Sequence, residues 1–247
     1  MELGYRVIRP SDVGLIPLQF VQISLWRTAD WGAAEGEEAV QQALEMAALC
    51  RRRGIRTVFH PLEYPLTNEY AGETMGVLRR LAAAADLGII LHDEGGVSGQ
   101  RLSKDLAKEY EANVREIAGL CPVSIENAFN SGDAEWFWNR FVVSGPDSIS
   151  ITLDIGHLES AGIDSASFVR ELPEDYLSRI RFVHLHHKAE ERYGVMDHWP
   201  LVSGCRELKA MHMLLARKKD LWVILELDAG NERGMRQSID LVRQLPS

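Results

Sequence analysis

Six positions in this chain set an imidazole or a carboxylate where an apolar run gives way to polar sequence: His60, His92, Glu126, Asp154, His184 and Glu226. His157 follows shortly after Asp154, and His198 lies further along from His184. An acid and an imidazole at that spacing, just past a strand, converge on one cation or one substrate. Taken singly, each has a plainer reading: an isolated strand-end histidine is usually a hydrogen-bonded core residue, and a buried carboxylate usually has a salt-bridge partner. The joint pattern resists that reading. Charged groups are costly to bury, and several carboxylates brought together call for cations to hold them. The carboxylate–imidazole mixture suits Zn, Mn, Fe or Co better than Mg or Ca. Glu126, Asp154, His184 and Glu226 suffice for one ion. His60, His92, His157 and His198 are left to bind further ions or to grip substrate, so the expected load is about one to three divalent ions per chain.

The elements that must position these groups alternate. Apolar, β-branched runs at Leu18–Leu25, Arg56–His60, Leu87–Asp93, Pro122–Ala128, Ile149–Ile155, Ile180–His187 and Leu221–Leu227 read as buried strands. A weaker eighth run covers Val7–Arg9. Helical stripes lie between them: Glu37–Arg53, stopped by Gly54; Glu69–Ala85; a helix capped by Ser103 and running to Gly119; Asp133–Val143, with Trp136, Phe137, Trp138 and Phe141 as core packing; one or two short helices in Asp164–Leu177, interrupted by Pro173; Cys205–Lys218; and Asn231–Leu245. Residues 93–99 form a glycine-rich loop. Gly156 is expected to let the backbone bend between Asp154 and His157. Lys188–Gly204 reads as a long polar loop around His198-Trp199-Pro200, and loops of that length in compact domains usually serve function. Strand–helix alternation means a parallel sheet. Eight strands close a (β/α)8 TIM barrel, which gathers every strand end into one mouth; the competing open doubly wound sheet spreads them out. The length suits one barrel of ~250 residues and no composition shift divides it, so residues 1–247 read as a single domain.

Acidic residues outnumber basic ones 36 to 27, a net charge of −9, which opposes general binding to a polyanion. The Arg51–Arg53 run completes a helix end and needs no nucleic-acid role. Three cysteines without CxxC spacing, Cys50, Cys121 and Cys205, argue against a disulfide framework and make a reducing cytoplasm the default. The first ten residues lack the basic start and apolar core of a signal peptide. No apolar run reaches the ~18 residues of a membrane span.

Five segments resemble the xylose-isomerase-like barrels, a superfamily that includes sugar-phosphate isomerases and epimerases as well as endonuclease IV. They are Ser-Ile-Glu-Asn at Ser124–Asn127, Leu-Asp-Ile-Gly-His at Leu153–His157, Val-His-Leu-His at Val183–His186, Asp-His-Trp-Pro-Leu at Asp197–Leu201 and Ile-Leu-Glu at Ile224–Glu226. Their order and spacing carry the resemblance. It implies that Glu126, Asp154, His184 and Glu226 match the four-ligand metal site of the epimerase branch. It also implies that His60, His92, His157 and His198 match the extra imidazoles of the endonuclease IV branch, which holds three zinc ions. Two departures stand out. The endonuclease pattern has Asp-x-His in the long loop, and here the Asp position falls on Met196, with Asp197 one place late. Pro10–Pro17 is too short for the helix that normally follows the first strand. Asp133 and Arg192 are loose matches to a further carboxylate and an arginine near the epimerase substrate.

Three functions compete. The first is a metal-dependent isomerase or epimerase of a small sugar, sugar phosphate or polyol, working by proton transfer through a metal-stabilised enediolate. Glu126 and Glu226 face each other across the substrate in this reading and exchange the proton. His157 and Lys188 hold substrate oxygens, and Trp199 caps the mouth. The second is a multi-zinc phosphoesterase resembling endonuclease IV, with Glu126 bridging ions. The third is a non-catalytic barrel that keeps part of the site. His186 shares a face with His184 by strand alternation and is expected to support it. His187 is expected to start the loop, and His212 and Cys205 to be structural.

Overall fold

Strand-end chemistry needs a sheet whose strands all point one way. The computed structural model describes residues 1–28, 36–93, 103–127, 149–191, 194–227 and 231–245. Eight parallel strands form a closed barrel: β1 (Glu2–Val7), β2 (Phe20–Trp26), β3 (Arg56–Leu62), β4 (Gly88–His92), β5 (Val123–Glu126), β6 (Ile149–Asp154), β7 (Ile180–Leu185) and β10 (Trp222–Leu225). Each pairs with its neighbour in sequence, and β10 closes the ring between β7 and β1. The first strand therefore lies earlier than the Val7–Arg9 run suggested. Only a 3-10 turn at Pro10–Asp12 separates it from β2, so the short connection carries no α-helix.

Helices α1 (Gly36–Arg52), α2 (Ala71–Ala84), α3 (Lys104–Ala118), α4 (Ile155–Ser160), α5 (Ser165–Glu171), α6 (Glu174–Arg179), α7 (Arg206–Arg217) and α8 (Glu232–Arg243) accompany the barrel. Their ends follow local chemistry. Ser103 accepts the Leu106 N–H and starts α3, Gly54 takes the left-handed φ of +69° that stops α1, and Pro173 divides α5 from α6. The expected helix at Asp133–Val143 with its aromatic cluster, the loop at 94–99, Asp133 and Arg192 lie outside the described residues. Among the described residues no helix is long and apolar enough to cross a membrane.

Two expectations are corrected. Lys188–Gly204 is not an irregular loop: β8 (His187–Glu191) and β9 (Gly194–Trp199) pair as an antiparallel hairpin. Gly156 does not serve a bend. Helix α4 begins at Ile155, directly after β6, and a Cβ on Gly156 would lie 2.1 Å from the His186 ring. The glycine is there for close approach.

The barrel interior is layered. Its floor is an apolar plug of Phe20, Val58, Leu87, Ile90, Phe182 and Ile224. Gly4 belongs to this layer, because a Cβ there would meet the Phe20 ring at 2.5 Å. A hydroxyl layer follows, with Thr152 donating to Ser124 at 2.7 Å. One residue pair further along each strand, alternation turns the same inward face polar: Gln22, His60, His92, Glu126, Asp154 and His184. A second, larger apolar core lies between the strands and the helices. Charge is thus confined to the end of the barrel where strands hand over to loops, the functional face of such barrels.

Candidate metal centre

Glu126 is the hub of the polar layer. Its Oε2 lies 3.2 Å from His60 Nε2 and 3.0 Å from His184 Nδ1; its Oε1 lies 3.2 Å from His157 Nδ1 and 3.6 Å from His92 Nε2. His184 Nδ1 also lies 3.6 Å from Asp154 Oδ2 and 3.7 Å from Glu226 Oε2. Glu126, Asp154 and His184 are completely buried, and Glu226 is 2 % exposed.

Hydrogen bonds behind the ring fix which nitrogen each imidazole presents. His184 Nε2 donates to Gln22 Oε1 at 2.7 Å, which leaves the Nδ1 lone pair facing three carboxylates. His60 Nδ1 donates to the Ile90 carbonyl at 3.2 Å, which leaves Nε2 for Glu126. His198 Nδ1 donates to the Glu226 carbonyl at 2.8 Å; His157 differs, because its Nδ1 meets the Asn127 carbonyl at 3.1 Å and is also the nitrogen that faces Glu126 and Asp154. Imidazoles tied down at one nitrogen with the other turned inward are the usual arrangement of metal-ligating histidines.

A lone pair aimed at a carboxylate oxygen at about 3 Å is repulsive unless a cation or a proton lies between. Both Glu126 oxygens, Asp154 Oδ2 and His184 Nδ1 are buried and make no hydrogen bond. Zinc bonds of about 2.0–2.2 Å in tetrahedral array hold donor atoms roughly 3.3–3.6 Å apart. The separations of 3.0, 3.6 and 3.7 Å around His184 Nδ1 lie on either side of that spacing. His184 Nδ1 thus has oxygens of Glu126, Asp154 and Glu226 around it, and His60, His184 and Glu226 bring ligand atoms within range of one ion. Triads of His60, His92 and Glu126, and of Asp154, His157 and His186, also bring ligand atoms within range of one another.

The electrostatics agree. Burial opposes ionisation of Glu126, but His184, His92 and His60 outweigh it and hold the carboxyl well below its ordinary range. Burial likewise opposes charge on Asp154, and His157 and His186 overcome it. Glu226 is held low against burial by His184, Arg6 and His198. Burial pushes His60 down to about 4. His157 and His184 are lifted to about 10, because neighbouring carboxylates outweigh burial. The centre is a buried nest of anions seeking positive charge.

A cavity of about 310 Å³ opens above it, lined by residues that include Arg6, Arg9, His92, His157, His198 and Glu226. No family model matches the sequence, and no curated protein matches it. Solved structures do. The IolI protein with a bound zinc atom shares 14 % identity over the whole of both chains, with a TM-score of 0.70. A xylose isomerase domain containing protein from Salmonella typhimurium shares 13 % identity over 98 % of this chain and 97 % of its own, at a TM-score of 0.68. The probable 3-DHS dehydratase AsbF from Bacillus anthracis shares 14 % identity over the whole of both chains, at a TM-score of 0.65. The likeness is one of fold: the chain is a (β/α)8 barrel.

Within that barrel, His60, His92, Glu126, Asp154, His157, His184, His198 and Glu226 are all brought to one mouth. Two other candidates stand apart. Lys188 Nζ donates to the Glu159 carbonyl at 3.2 Å on α4 and does not line the cavity. Trp199 is half-buried at the base of the hairpin, paired across to His187, and does not line it either. Glu126 lies beneath the cavity wall, whereas Glu226 lines it. The side chains of Met196 and Asp197 lie outside the described residues. His187 meets Glu207 at 3.0 Å, away from the centre, and His212 is exposed on α7.

Sequence reasoning missed Gln22. Its Nε2 donates to Glu226 Oε1 at 2.6 Å while its Oε1 accepts from His184, so one amide orients two ligands. The signal was an amide at the inward parity of an otherwise apolar strand. It also missed Asn127, whose Nδ2 donates to the Asp154 carbonyl and whose Oδ1 accepts the Asp154 N–H, pinning β5 to β6. Arg6, which donates to the Leu227 carbonyl and lies 3.8 Å from Glu226, falls just before the Val7–Arg9 run read as the weakest strand.

Proposed function

We propose that this chain is a metal-dependent isomerase or epimerase acting on a small sugar, sugar phosphate or polyol. The observation that carries the reading is the convergence of three ionised, buried carboxylates on the inward-facing Nδ1 of His184. Glu126, Asp154, His184 and Glu226 would hold a divalent cation, which would supply Lewis-acid polarisation of a substrate carbonyl or hydroxyl. The chain's own groups do the rest. Glu226 lines the cavity as an anion. Glu226 takes the proton from the substrate carbon, and the electron pair left behind delocalises into the adjacent carbonyl. Return of that proton to the neighbouring carbon gives isomerisation; delivery from the opposite wall gives epimerisation. Glu126 reaches that wall through His92 and His157, which flank it and line the cavity. Arg6 and Arg9 supply positive charge for a phosphate or another anionic group on the substrate. The three free thiols suit a reducing cytoplasm.

Metal-replete protein is incubated in D2O with a panel of aldoses, ketoses and their phosphates, and NMR follows deuterium at carbon. Exchange into one substrate class, lost in Glu226→Gln, is the expected result. No exchange with any member, by protein of proven metal content, refutes the reading.

A multi-zinc phosphoesterase is the second reading, favoured by the four imidazoles around Glu126 and the separate His60–His92–Glu126 triad. Elemental analysis separates the two: one ion per chain supports the isomerase, and two or three with cleavage of abasic duplex DNA supports the esterase.

A further inference from the structure

We infer that His186 is a positioning residue: one imidazole that holds Asp154 and His198 in place without itself binding the ion. The inference rests on the metal-centre reading. His186 follows β7 and is completely buried. Its Nδ1 accepts the backbone N–H of His198 at 3.2 Å. A neutral imidazole that accepts at Nδ1 carries its proton on Nε2, and Nε2 faces Asp154 Oδ1 at 3.2 Å. A protonated nitrogen has no lone pair to give a cation. This separates His186 from His60 and His184, whose hydrogen-bonded nitrogen donates to an oxygen behind the ring, although all three stand within reach of carboxylates.

Two consequences follow at the centre. Asp154 Oδ1 accepts the His157 N–H at 2.6 Å and lies 3.2 Å from His186 Nε2, while Oδ2 faces His184 at 3.6 Å and His157 Nδ1 at 3.3 Å. His198 takes a φ of +57°, a backbone conformation that L residues rarely adopt. Its N–H on His186 and its Nδ1 on the Glu226 carbonyl hold it there, which points Nε2 at the cavity. The space for this imidazole is made by Gly156, where a Cβ would lie 2.1 Å from Cε1 and 2.4 Å from both ring nitrogens of His186. The Leu-Asp-Ile-Gly-His and Val-His-Leu-His segments are therefore interlocked: the glycine of one houses the second histidine of the other.

Three variants of the full chain dissect the arrangement. His186→Asn keeps an acceptor at the Nδ1 position for His198 and loses the reach to Asp154. His186→Gln keeps a donor at the Nε2 position and loses the acceptor. Gly156→Ala drives the imidazole out of both contacts. Zinc affinity is read by competition with a chromophoric chelator, coordination by the visible absorption of the cobalt(II)-loaded protein, and folding by thermal melting. Each His186 variant is expected to bind zinc roughly 10–100-fold more weakly, with an altered cobalt spectrum. Gly156→Ala is expected to do the same, and its effect should largely vanish in a His186→Ala background. If Gly156→Ala does not fold, the two His186 variants decide. Variants that melt lower but bind zinc within about twofold of wild type, with unchanged cobalt spectra, show a packing role only and overturn the inference. Wild-type protein that takes up neither zinc nor cobalt overturns the metal-centre reading and this inference with it.

Discussion

Replacing Gln22 by methionine keeps the volume of the side chain and deletes the amide that ties His184 to Glu226. In the wild type that amide donates to Glu226 Oε1 at 2.6 Å and accepts from His184 Nε2 at 2.7 Å, both in a fully buried setting. A hydrogen bond to a charged partner contributes about 1.5–3 kcal/mol. Its loss leaves Glu226 free to turn and lets His184 move its proton to Nδ1, the atom that must stay bare to face the ion. Outer partners of metal ligands are typically worth about 10–100-fold in affinity, roughly 1.4–2.7 kcal/mol, so the two estimates coincide. Zinc competition against a chromophoric chelator at neutral pH should show a loss within that range, with unchanged circular dichroism. Affinity within twofold of wild type, in a folded Gln22→Met protein, would mean that the ligands are oriented by packing alone, and the argument from tautomers would fall.

Other perturbations have outcomes as definite. Glu126→Gln should abolish metal retention through gel filtration, read by elemental analysis, because one neutral amide replaces the anion that four imidazoles surround. Lys188→Ala should leave metal affinity and any deuterium exchange near wild type, since its ammonium is spent on a carbonyl of α4. In chelated protein, His157 and His184 sit near 10 rather than at the ordinary 6.5. The stability they contribute is complete below pH 6.5 and lost as pH climbs towards 10, so the melting temperature should fall across that interval. The same imidazoles must shed protons to take a cation, so zinc affinity should rise over those pH values, with proton release detectable by calorimetry in buffers of different ionisation enthalpy. Gly88→Ala should cost on the order of 2–5 kcal/mol, measured by urea unfolding. It adds a methyl at a φ of +113° and 2.1 Å from the Pro122 carbonyl oxygen, far from the ions, so metal content per folded molecule should stay constant.

The barrel was legible because its strands are buried on both faces and announce themselves as apolar runs. The ligands were legible because each interrupts such a run at its end. Other features were hidden for identifiable reasons. Strand β1 has Arg6 on its inward face and Gly4 beside the Phe20 ring, so it lacks the continuous apolar signature. The β8–β9 hairpin is polar and lies outside the barrel ladder, and its composition is that of a loop. Gln22 carries no charge, and its importance comes from two partners more than 160 residues away in sequence. Gly156 was visible as a glycine, but the imidazole it makes room for follows the next strand, a relation that no local pattern encodes.

The seal between the first and last strands of the ring has one more implication. Glu226 follows β10, and β10 is locked to β1 on one side and β7 on the other. A chain whose ring is still open thus lacks a ligand and the wall that aims it. Capturing the cation and completing the cylinder become a single event, and a spectroscopically visible ion such as cobalt would report the last step of folding as its colour appears.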